Sequence, residues 1–149
     1  MLLGSRRKVR LRHRIKEILV KKGYTRKNIV IMEDIEDDEK YLDEQFGSIL
    51  DKYSPTLFFA FFHEGVNMDG VIFELGWICG KYNPKEISKR LRIVSDLDYN
   101  WKNKTRYIQS LFHTGQLIPI EKMDAASLSK CIQHNVINLL DTYHSKIRV

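Results

Sequence analysis

The segment Gly70-Val71-Ile72-Phe73-Glu74-Leu75-Gly76-Trp77-Ile78-Cys79-Gly80 carries a single carboxylate, Glu74, among apolar and small neighbours. A solvated helix face does not look like this. An ionised carboxylate taken out of water is costly unless it is paired, so such a residue is either functional or held by hydrogen bonds. At helical spacing, Gly70, Glu74, Trp77 and Ile78 fall at i, i+4, i+7 and i+8, on one face. Gly70 would leave open space one turn before the carboxylate, and Trp77 would flank it with an aromatic ring. That combination suits a sugar or a nucleobase. The plain alternative is a core glutamate that caps a loop or pairs with an arginine from the basic N-terminal segment.

Other chemistry-bearing residues follow the apolar runs. Gly4-Ser5-Arg6-Arg7 follows the first, Glu33-Asp34 the second, His63-Glu64 the third, Ser95-Asp96 the fourth, and Glu121, Lys122 and Asp124 the fifth. A small-residue turn such as Gly4-Ser5 at a helix start offers free N–H groups to an anion, and Arg6 could pair with a phosphate. The turn is neither GxxxxGK[ST] nor GxGxxG. His63, Asp69 and Asp96 are candidates for proton transfer or for sugar hydroxyls, and Asp34 for contact with the substrate. His63-Glu64 does not extend to HExxH and no other ligand has useful spacing, so neither a metal nor a cofactor is expected.

The elements that must position these residues alternate steadily. Met1 to Leu3 reads as a short strand. Leu11, Ile15, Ile18 and Leu19 form a helical stripe ended by Gly23. Ile29 to Met32 reads as a strand, and Leu42, Phe46, Ile49, Leu50 and Tyr53 as a helix. Leu57 to Phe62 is the central strand, and Gly70 to Lys81 a buried helix. Leu91 to Val94 is a strand, Tyr107 to Phe112 a short helix ended by Gly115, and Leu117 to Ile120 an edge strand containing Pro119. Leu128, Ile132, Val136, Leu139, Leu140 and Tyr143 form a closing helix. Continuous rather than alternating apolar strands mean that both sheet faces are covered, and alternating helices imply parallel strands. The predicted fold is one α/β domain over residues 1–149, doubly wound in the flavodoxin or Rossmann manner around a five-stranded parallel sheet. Ligands of such sheets bind beyond the carboxyl ends of the strands.

Hydrophobic residues make up 43% of the 149-residue chain and charged residues 30%, which fits a globular protein. No apolar run approaches the roughly 20 residues of a membrane helix. The N-terminus is apolar first and basic second, the reverse of a signal peptide, so a cytoplasmic location is expected and no membrane partner. Cys79 and Cys131 lack CxxC spacing and read as reduced thiols. The net charge of +6 is unevenly spread. Residues 1–27 hold eleven Lys/Arg and one acid, whereas residues 33–44 hold eight acids and one base. Such a block can mark a polyanion-binding surface. Nucleic-acid contact through residues 6–27 is nevertheless the lesser reading, since no aromatic interrupts the segment before Tyr24.

Gly70-Val71-Ile72-Phe73-Glu74-Leu75-Gly76 resembles the G-T-x-x-E-x-G helix of the nucleoside 2-deoxyribosyltransferase-like superfamily, whose relatives include nucleotide N-glycosidases and TIR-like domains that cleave NAD. The order of elements is similar over nearly the whole chain. The resemblance implies that Glu74 is the nucleophile on the anomeric carbon, or stabilises charge there. Gly70 matches the glycine one turn earlier, and Asp69 would contact the sugar or base. Residues after the first strand (Gly4, Ser5, Arg6) would shape the base or phosphate pocket. The family's threonine position is Val71 here, and the acid is adjacent to Gly70 rather than one residue earlier. The resemblance also allows a homodimer.

Two readings follow first. One is an enzyme that hydrolyses or transfers at the N-glycosidic bond of a nucleoside, nucleotide or NAD-like molecule, through Glu74. The other is a non-catalytic nucleotide-sensing module of the same fold, towards which the Val71 and Asp69 departures point. A basic nucleic-acid or protein-interaction domain is the third.

Overall fold

A computed structural model describes residues 1–35, 42–114, 116–120, 125–138 and 141. Strand β1 (Leu2–Gly4) leads through a 3-10 turn at Arg6–Lys8 into α1 (Val9–Lys21). Helix α2 (Leu42–Tyr53) precedes the central strand β2 (Phe58–Phe62), and α3 (Asp69–Lys81) follows it. Then come α4 (Pro84–Arg90), β3 (Leu91–Asp96), α5 (Arg106–Thr114), β4 (Gln116–Ile120), α6 (Ala125–Cys131) and a π-helical turn at Ile132–Ile137.

The architecture is mixed α/β, but the sheet is not five-stranded. Among the described residues four parallel strands pair in the order β1-β2-β3-β4. The expected strand at Ile29–Met32 contributes one parallel bridge, Ile31 to Leu2, on the outer side of β1, with Leu2 N donating to Val30 O at 2.9 Å. The physical reason is length. The chain winds into 3-10 turns on both sides of this stretch, at Arg26–Asn28 and at Met32–Asp34. Only three residues between them remain extended, and β1 opposite has only three to offer. Edge position for the last strand is as its proline predicts.

Alternate residues of the strands feed two cores. Leu3, Phe58, Ala60, Phe62 and Ile93 pack with Phe46 and Leu50 of α2, Val71, Leu75 and Ile78 of α3, Ile87 of α4 and Leu111 and Phe112 of α5. Leu2, Phe59, Phe61 and Val94 pack on the other face with Leu11, Ile15 and Leu19 of α1 and Leu128 of α6. Each such side chain contributes about 1.5–3 kcal/mol by leaving water, so α1 and α3 are clamped on opposite faces and their N-termini converge on the end of β1. Gly23, at φ 101°, ends α1, with Tyr24 N donating to Leu19 O at 3.1 Å. Helix α4 has no counterpart in the apolar periodicity. Its start is a capping box: Asn83 Oδ1 accepts from Glu86 N at 2.9 Å, and Glu86 Oε2 accepts from Asn83 N at 3.3 Å. Gly115, Glu121, Lys122, Asp124, Leu139, Leu140 and Tyr143 lie outside the described residues. No helix among the described residues is long and apolar enough to cross a membrane.

Candidate functional site

A cavity of about 570 Å³ opens at the carboxyl end of β1, lined by Gly4, Ser5, Arg6, Met32, Glu33 and Glu74 together with Arg7, Asn67, Gly70 and Val71. Its volume is in the range of about 300–1,000 Å³ usual for small-molecule sites. Five of the residues singled out from sequence, Gly4, Ser5, Arg6, Gly70 and Glu74, come together here.

Glu74 sits in the second turn of α3 and is 7% exposed. Its carboxyl is pushed up from 4.5 to about 8, first by burial and then by the nearby charge of Glu33, with Arg12 opposing. Gly70, one turn earlier, has open space where a side chain would lie. The start of α3 is fixed by Asn67, whose Oδ1 accepts from Asp69 N at 2.8 Å.

Beside the cavity lies a buried ion pair whose arginine the sequence did not single out. Arg12, on α1, is fully buried, and its Nη2 pairs with Oε1 of Glu33, whose side chain is 15% exposed. Arg12 Nη1 also donates to the Ser5 carbonyl at 3.1 Å. Arg12 Nε and Glu33 Oε2 are buried and make no hydrogen bond to the described residues. The guanidinium passes directly over Gly4, where a Cβ would overlap Arg12 Nη1, so any side chain here would have to displace the guanidinium. Arg12 therefore does three things. It ties the β1 turn to α1, holds Glu33 at the cavity wall, and places positive charge within range of Glu74.

A signal for Arg12 existed. Arg12, Ile15 and Leu19 fall at i, i+3 and i+7, so a charged residue lies within the buried stripe of α1. Asn67, two residues before the start of α3, carries the familiar helix-start residue type.

No protein-family model, curated protein or solved structure matches the chain.

The remaining sequence candidates lie around or away from the cavity. His63 and Asp96 form a dyad at the carboxyl ends of β2 and β3. His63 Nδ1 lies 3.1 Å from Asp96 Oδ1, and Asp96 Oδ2 accepts from Glu64 N at 3.1 Å. His63 is 4% exposed, and its pKa is lowered by burial, against the raising effect of Asp96. The ring is thus neutral near pH 7. An ionised carboxylate only accepts, so the Nδ1 hydrogen faces Asp96 and Nε2 carries the lone pair. Nε2 is buried and has no partner among the described residues. Neither residue of the dyad lines the Glu74 cavity. Asp34 faces α1 instead, 3.2 Å from Lys16 and 3.3 Å from His13. Asp69 is exposed at the first residue of α3 and does not line the cavity.

Trp77 also lies elsewhere. It is 40% exposed and lines a separate groove with Gly47, Phe73 and Tyr107. The cause is Gly47 on α2: its missing side chain leaves a slot for the indole, where an added Cβ would lie 3.2 Å from Trp77 Cζ3. Glu74 consequently has no aromatic wall from α3. Among the described residues no group of three or more His, Cys, Asp or Glu is placed to hold a metal ion. Cys79 and Cys131 are not joined in a disulfide and are partly buried.

Proposed function

We propose that this chain is a doubly wound, flavodoxin-like domain that hydrolyses or transfers at the N-glycosidic bond of a nucleoside, nucleotide or NAD-like molecule. One observation carries the reading: Glu74, a carboxyl withdrawn from water, lines a cavity of nucleotide size whose rim bears Arg6 and Arg7. The strand order supports it. The chain leaves β1 for Ile31 on one side and returns to β2 on the other, so the crevice beside β1 is a point where the winding reverses, the usual ligand site of such sheets.

The chemistry is that of an oxocarbenium-like transition state. The C1′–N bond breaks and its electron pair leaves with the base. An ionised Glu74 bonds C1′ or faces the developing positive charge. Water or an acceptor hydroxyl then bonds C1′, displacing the Glu74 oxygen where that bond has formed, and its proton passes to the departed base, or to solvent where the base leaves neutral. Arg6 and Arg7 suit a phosphate at the other end of the substrate.

The test is release of free base from nucleosides, nucleoside monophosphates and NAD, followed by mass spectrometry. The native chain should release base and Glu74→Gln, with folding intact, should not. A second reading, binding without turnover, is favoured by the protonated state that burial imposes on Glu74 near pH 7. Thermal stabilisation by a nucleotide with no base released would select it.

A further inference from the structure

The outward face of α1 is a line of cations that the buried pair beneath it does not use. Arg10, Arg14 and Lys21 fall at i, i+4 and i+11, so they share one side of α1, Arg7 precedes them in the 3-10 lead-in turn, and all four are exposed. None of them makes an ion pair with a described residue. The one acid of α1, Glu17, is taken by Arg26, whose guanidinium donates to both of its oxygens at 2.5 and 2.8 Å. Against these cations α1 sets one acid, Glu17, whose carboxylate also interacts with Lys21, so the row keeps a net positive charge. It runs about 16 Å from Arg10 to Lys21 at 1.5 Å per residue. At its upper end Arg7 belongs both to the line and to the rim of the Glu74 cavity.

We propose that this face is a docking surface for the phosphates of single-stranded nucleic acid, and that it leads one nucleotide of the strand into the Glu74 cavity. The second half, and with it the choice of a single strand, rests on the N-glycosidic reading above; the grip on phosphates does not. A row of discrete cations tracks a backbone of discrete anions, so phosphates are the groups it can grip. A single strand is favoured because a cavity of this size takes one nucleotide, which a duplex would have to unstack and extrude. An anionic membrane is the poorer fit: a membrane-lying helix needs apolar side chains flanking its basic face, and the exposed positions of α1 are all charged or histidine.

Binding of the full chain to a short fluorescent oligodeoxynucleotide, followed by anisotropy, tests the docking surface. Four phosphate contacts to a single strand predict that affinity falls about 50-fold between about 50 and 200 mM salt, and that Arg10→Gln/Arg14→Gln, with two contacts left, loses only about 7-fold over the same range. Neither Arg10 nor Arg14 lines the cavity, so base release from mononucleotides should be unchanged in the double variant while base release from the oligonucleotide falls. Absence of binding at about 50 mM salt, equal binding by the double variant, or sedimentation with phosphatidylserine vesicles without oligonucleotide binding would each overturn the docking surface. Oligonucleotide binding with the predicted salt dependence, but no base released from any substrate, would keep the surface and sink the N-glycosidic reading.

Discussion

Replacing Glu74 by glutamine should remove one large pH-dependent contribution to stability. Glutamine keeps the shape and the hydrogen-bonding oxygen but cannot ionise. In the native chain the folded-state pKa of about 8 lies above the value of 4.5 for an exposed carboxyl. A raised carboxyl pKa means that the folded state holds its proton more tightly, so the contribution is fully present below pH 4.5 and is lost as pH rises through about 8. The shift corresponds to a loss on the order of 5 kcal/mol across that window. Urea unfolding of the native chain and of Glu74→Gln at matched pH values isolates this group, because every other titration cancels in the difference. The two should agree within about 1 kcal/mol near pH 4.5, and the variant should be the more stable by several kcal/mol near pH 9. A difference that stays flat from pH 4.5 to 9 would refute the burial argument, since it would mean that Glu74 ionises as if in water.

Three further outcomes follow from the same cluster. Arg12→Met should destabilise by about 3–5 kcal/mol, because Glu33 is left without its countercharge, and should lower the melting temperature by roughly 10 °C. Adding Glu33→Leu should recover most of that loss, and a double variant no more stable than the single one in a thermal melt would contradict the pair. Gly4→Ala should cost about 1–3 kcal/mol by denaturant unfolding, and the cost should shrink in an Arg12→Met background where the overlapping guanidinium is gone. Asp96→Asn should lower the His63 pKa further below its ordinary value, because burial then acts unopposed. NMR titration of the ring reads this, and an upward shift would show that the dyad does not exist in solution.

Much of the fold was written in the period of the apolar residues. The stripes of α1 and α2, the all-apolar β2 and the buried α3 are strong patterns because each packs on a sheet face that admits little else. The Ile29–Met32 segment shows the limit: its composition is that of a strand, but pairing is decided by turns at both ends and by the three residues of β1. Helix α4 was missed because its signal is a capping box and not a stripe. Within the site, Glu74 stood out because it is alone among apolar residues. Arg12 was hidden among ten other cations, although its place in the stripe of α1 marked it as buried. Helical spacing alone places Trp77 beside Glu74. Only the neighbouring helix, with its gap at Gly47, decides that the indole turns away. Long-range partners such as Glu33 and Arg12, or His63 and Asp96, are set by which strands lie side by side, and local spacing does not carry that information.

The central claim, that Glu74 acts on an N-glycosidic bond from within its cavity, is tested most directly by the pH dependence of kcat/KM for base release, which reports the ionisation of the free enzyme. The account predicts activity that rises with pH through an apparent pKa near 8, as the carboxylate forms, and no measurable turnover in Glu74→Gln. Base release that is independent of pH across that region, or that survives in Glu74→Gln, would contradict it.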